Sequence, residues 1–129
     1  MPYRRLLASL VSVSLFFAAG TSRADGPFPP HKIADNTYYV GSQDLATYLV
    51  TTPEGHILIN SGFEETVPLI RDAVQTLGFK PTDVKLILAS HAHSDHVAGH
   101  ARLKELTGAR VVVMAGDEEV IRKGGEGQY

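Results

Sequence analysis

The chain has 129 residues, with 12 Lys and Arg against 14 Asp and Glu and a net charge of −2 at pH 7. That near-balance, with no basic cluster beyond the first few residues, argues against a nucleic-acid partner and lends no support to a membrane-surface role. Cysteine is absent, so disulfides are excluded and any metal site must be assembled from His, Asp and Glu.

Residues 1–24 read as a cleavable signal peptide. Arg4 and Arg5 form a charged start, Leu6 to Ala19 an apolar run too short to span a bilayer comfortably, and Ser22 and Ala24 the small residues around a cleavage site. A mature domain would then begin near Asp25 and run to residue 129 in an exported, periplasmic protein, with no membrane association after cleavage. "DGPFPPHKIAD" reads as a proline-stiffened lead-in. Asn36–Gly41 and Leu45–Thr52, rich in Tyr, Val and Thr, read as strands. Pro53–Gly55 has turn chemistry, and His56–Ser61 returns as the second arm of a hairpin.

From Thr66 onward, Val67, Ile70, Val74 and Leu77 recur at helical spacing. Pro68 falls in the first turn, where its missing N–H is harmless, and Gly78 is the stop. Val84–Ala89 suits a buried strand, His96–Thr107 a helix ended by Gly108, Ala109–Gly116 another buried strand, and Asp117 can cap a short final helix. Three strands, helix, strand, helix, strand, helix is an α/β order in which helices cross between strands able to pair in parallel.

Four of the six histidines fall within Ser90–His100, "SHAHSDHVAGH". An extended chain points residues two apart to the same side, so His91 and His93 leave the strand end side by side and can close on one metal ion. Asp95 and His96 diverge as the chain turns into a helix, and can face a second ion. Imidazole and carboxylate without thiolate suit zinc, and also iron or manganese. Zinc with an open position brings its water to a pKa of about 7, and Asp95 could both bind metal and move a proton. A merely polar, histidine-rich loop would not explain why the motif directly follows a buried strand and opens a helix. His31, His56 and His100 read as ordinary surface or core residues, although His100, four residues after His96, can sit behind the ligands.

"SHAHSDHVAG" resembles the signature of the metallo-β-lactamase superfamily, and the likeness extends over about Ile33 to Gly125. "NTYYVGSQDL" and "TPEGHILIN" are similar to the secreted zinc β-lactamases, in particular the subclass with one His-His-His and one Asp-His-His zinc site. The resemblance implies the N-terminal half of an αββα sandwich, and two zinc ions with His91 and His93 on the first, Asp95 and His96 on the second. It implies attack of a zinc hydroxide on a β-lactam carbonyl, and hence antibiotic resistance, with no covalent enzyme intermediate. Many relatives carry Asp where this chain has Asn60, and often Gly where it has His100, so a charge behind the site is lost. The remaining ligands in that family lie in a C-terminal half, and no histidine follows His100 here. A fragment with little hydrolysis of its own is therefore expected. The alternatives are another hydrolase on the same fold (a lactonase or a thioesterase) or an inactive, truncated metal-binding remnant. A cleaved leader disfavours the thioesterase, whose glutathione substrates are cytosolic.

Overall fold

The computed structural model describes residues 26–127. The leader expected over residues 1–24 lies outside them, and no helix among the described residues is long and apolar enough to cross a membrane. The scaffold is one six-stranded mixed sheet whose spatial order follows the chain. Strands β1 (His31–Ala34), β2 (Thr37–Tyr39), β3 (Tyr48–Val50) and β4 (His56–Ile59) pair antiparallel in succession. Strands β5 (Val84–Leu88) and β6 (Arg110–Val111) then join in parallel. Helix α1 (Val67–Thr76) connects β4 to β5. Helices α2 (Ser94–Val97) and α3 (His100–Thr107) connect β5 to β6, and α4 (Glu118–Arg122) follows.

Three expectations shift. β1 lies where the proline-rich lead-in was expected; all four of its residues are exposed, so no alternation of apolar and polar residues marks it. The helix expected over His96–Thr107 is broken into α2 and α3 at Ala98–Gly99. Gly99 donates its N–H to the Gly62 carbonyl at 3.0 Å, and a Cβ on it would sit 2.9 Å from the Phe63 oxygen and 3.0 Å from the Ser61 oxygen. The chain bends there to bring the two segments into contact. β6 is only Arg110–Val111, well short of Ala109–Gly116.

Cross-strand register builds the core. Tyr38 faces Leu49, Leu49 faces Leu58, Leu58 faces Ile87 and Ile87 faces Val111. Leu49, Leu58 and Ile87 are fully buried, joined in one cluster by Val67, Ile70, Ala73 and Val74 of α1 and by Leu103 of α3. Tyr48, Ile57, Ile59, Leu86 and Leu88, at the alternate positions of the same strands, remain half-buried.

Replacing Ile87 by Ala is expected to lower the unfolding free energy by about 2–5 kcal/mol, because the central row of the sheet would be left with a cavity. Urea denaturation measures it, and a loss below about 1 kcal/mol would show that this row does not organise the core. Gly99→Ala is expected to cost roughly 1–3 kcal/mol through overpacking against two carbonyls, by the same measurement.

Candidate metal centre

Because β4 and β5 run in parallel, their carboxyl ends lie side by side, the usual position for a site in an α/β sheet. Asn60 follows β4 and Ser90 follows β5. The Asn60 N–H donates to the Leu88 carbonyl at 2.8 Å, continuing the ladder one step beyond the strands. Asn60 adopts a left-handed φ of 68°, a conformation Asn tolerates better than most residues with a side chain. Its side chain, 4% exposed, accepts from the Ser90 N–H at 2.9 Å and the Ser90 hydroxyl at 3.1 Å. It donates through Nδ2 to the Ala46 carbonyl at 3.4 Å. Asn60 thus ties together the ends of two strands and the loop before β3; the charge is absent as expected, and the amide makes three hydrogen bonds in its place.

Beyond Ser90 the chain carries His91, His93, Asp95 and His96 in one sweep. His93 is the extended residue before α2, and its carbonyl accepts from the His96 and Val97 N–H groups at 2.9 and 3.1 Å. Single ligand atoms of His91, Asp95 and His96 all lie within 4.8 Å of one another. The rings of His91 and His96 are 3.8 Å apart between centroids, and those of His91 and His93 4.7 Å. His96 Nε2 is 3.4 Å from an Asp95 carboxylate oxygen. All four motif residues therefore converge, but the tight group crosses the expected division, since His91 stands with Asp95 and His96. The cluster's chemistry fits a divalent metal: imidazole nitrogens and a carboxylate gathered at one end of a sheet, with no thiolate.

Burial is graded across the site. His91 and His93 are exposed, and Asp95 and His96 are half-buried. Partial burial pushes the His96 imidazole below its ordinary pKa; Asp95 opposes this, and His91 and His93 add to it. Its surroundings thus favour the neutral ring that a metal requires.

Behind the ligands stands a second anchor. The His96 carbonyl accepts from the Ser61 N–H at 2.8 Å and the Ser61 hydroxyl at 3.2 Å. His100 is buried and its Nδ1 lies 2.7 Å from Ser61 Oγ, so this histidine sits behind the candidate ligands rather than among them. Its Nε2 has no hydrogen-bond partner among the described residues. Gly125, with φ of 78°, lies so close that a Cβ would be 2.5 Å from the Ala92 carbonyl oxygen, which presses the segment after α4 onto the ligand loop. His31 and His56 lie against aromatic rings instead, stacking on Tyr39 at 5.6 Å and meeting the edge of Phe79 at 5.2 Å. Ser90 carries no signal in the sequence beyond adjacency to the motif, and Ser61, just after β4, carries none.

The profile of the metallo-beta-lactamase superfamily matches residues 45–129. The chain belongs to that superfamily. Among solved structures it is similar to the native FEZ-1 metallo-beta-lactamase from Legionella gormanii. The two share 51% identity and a TM-score of 0.76 over 80% of this chain and 39% of that one. MEM-A1, a subclass B3 metallo-beta-lactamase from a soil metagenome library, shares 44% at a TM-score of 0.72, over 75% of this chain and 36% of its own. LRA-12, a class B3 di-zinc metallo-beta-lactamase from an Alaskan soil metagenome, shares 42% at a TM-score of 0.76, over 80% and 39%. The chain thus spans 36–39% of the length of these relatives. The mixed sheet and its helices are the α/β fold of the superfamily, seen over part of its domain.

Burial pushes His100 from 6.5 down to about 4. The unfolded chain takes up this proton more readily than the folded one, so stability is full above pH 6.5 and falls as pH drops toward 4. The loss attributable to His100 is at most about 3 kcal/mol. Urea denaturation at neutral and acidic pH is expected to show a smaller acid loss for His100→Gln than for the parent chain.

Proposed function

We propose that the protein, as part of a longer enzyme, hydrolyses the amide of β-lactam antibiotics with two zinc ions and thereby confers resistance. The observation that carries this reading is the convergence of His91, His93, Asp95 and His96 at the carboxyl end of β5, in a chain 42–51% identical to named metallo-beta-lactamases. His91 and His93 would hold the first ion, Asp95 and His96 the second. The closeness of His91 to His96 supports two ions set side by side rather than far apart. When bound, zinc supplies Lewis acidity and acidifies a water near neutral pH.

The protein's own residues supply order and proton handling. The strand-end anchors hold the imidazoles in place before substrate arrives, which reduces the entropy that must be lost in the reaction. Asp95 lies within reach of the reacting centre, and its carboxylate can orient the attacking water and pass a proton to the departing amide nitrogen. The half-buried setting of Asp95 and His96 limits the water that competes with these contacts. The substrate is a small molecule, and the near-neutral charge supports no nucleic-acid partner. The sequence of residues 1–24 supports export to the periplasm by a cleaved leader.

Expressed from its complete reading frame, the protein is expected to hydrolyse a carbapenem, to lose that activity on treatment with a chelator, and to regain it with zinc. His96→Ala and Asp95→Asn are each expected to lower kcat/KM by at least about 100-fold. Hydrolysis of a lactone or a thioester with no β-lactam turnover would replace this reading with another hydrolase of the superfamily.

A further inference from the structure

Deepening the zinc-site reading above and resting on it, we propose that Asn60 and Ser90 form a directional hydrogen-bond relay. The relay holds the proton of His96 on Nδ1 and, through a longer contact, that of His91 as well, so that both rings present Nε2 to the metal.

Its direction follows from groups that have no choice. The Ala46 carbonyl can only accept, so the Asn60 amide turns its Nδ2 toward it. The Ser90 backbone N–H can only donate, and it meets Asn60 Oδ1 at 2.9 Å. These two obligate partners settle which end of the amide is which, an assignment that is otherwise ambiguous for Asn. The Ser90 hydroxyl also lies 3.1 Å from the same Oδ1, an atom with no proton to give. A hydroxyl has one proton, and here it goes to Asn60. What remains on Ser90 Oγ is lone pairs, which face His96 Nδ1 at 3.1 Å and His91 Nδ1 at 3.4 Å. A contact between lone pairs and Nδ1 is favourable only if Nδ1 bears the hydrogen, so Nε2 is left as the ligand atom.

The other side of His96 agrees. Its Nε2 lies 3.4 Å from the Asp95 carboxylate, and two acceptors facing each other across a short gap are relieved by a cation between them. The competing arrangement has the hydrogen on Nε2, pointing to Asp95, with Ser90 donating to His96 Nδ1. It would leave Asn60 Oδ1 with the backbone N–H alone. Asn60 and Ser90 touch no substrate; they are positioning residues. What Ser90 needs at position 60 is an acceptor, and the amide oxygen of Asn60 supplies one.

Long-range proton–nitrogen correlation spectra of the full, metal-free chain at pH 8 report the tautomer of each ring directly, and competition with a chromophoric chelator reports zinc affinity. The expected result is the Nδ1–H form for His96 in the parent chain. Ser90→Ala, at an exposed position, is expected to mix the tautomers and weaken zinc about 10–100-fold. Ser90→Thr, which keeps the hydroxyl, is expected to restore both readouts. Asn60→Asp, which keeps the acceptor, is expected to leave the tautomer unchanged. An Nε2–H tautomer for His96 in the parent chain would overturn the relay, as would a Ser90→Ala variant unchanged in both readouts. Failure of the parent chain to bind zinc would sink the metal reading, while the tautomer of the metal-free ring would still decide whether the relay exists.

Discussion

Parallel pairing of β4 with β5 is the constraint on which the site depends. Antiparallel neighbours would place the end of one strand beside the start of the other. Parallel neighbours place both carboxyl ends together, so Asn60 and Ser90 meet although they lie 30 residues apart in the chain. Helix α1 exists in part to make that return possible, since a parallel partner needs a long crossover. The helix in turn is held by the row of Leu49, Leu58 and Ile87 beneath it. Site geometry is therefore a consequence of core packing.

The ligand loop combines exposed rings with buried anchors. His91 and His93 face solvent, yet Ala92 between them is buried, and so is Val97 one turn later. Backbone hydrogen bonds hold the loop at Ser61 and Gly62, and Asn60 holds it at Ser90. This division leaves the imidazole side wet while the supporting side behaves as part of the core. His100 belongs to the supporting side. Its burial disfavours the charged form, and a permanent positive charge beneath a metal site would weaken cation binding.

Much of this was legible in the sequence because the informative signals were local. Runs rich in Tyr, Val and Thr marked β2 and β3, the turn at Pro53–Gly55 marked β4, and a short apolar run marked β5; spacing at Val67, Ile70 and Val74 marked α1, and Gly108, with a left-handed φ of 72°, marked the end of α3. The four motif residues were legible as well, since a strand end followed by a helix forces them together. What escaped was set by contacts distant in sequence. β1 has no buried face to leave a pattern. The break at Gly99 comes from carbonyls near position 62, and the roles of Ser61 and Ser90 appear only when two strand ends meet. The grouping of His91 with His96 likewise needs the turn of α2, which spacing alone does not specify.

The spatial order of the sheet repeats the order of the chain from β1 to β6. Each new strand finds its partner already present, so the sheet can be assembled by successive addition from the N-terminal side, as a growing or emerging polypeptide requires. No strand has to be inserted between two that have already paired. The ligand loop follows β5 in the chain, so it would be delivered onto a finished edge, with β6 and α4 closing over it afterward. The first four strands close through short connections, and the two parallel crossovers that follow are the long ones. The motif residues are thus set down only after the strand ends that anchor them, Asn60 and Ser90, have been brought together.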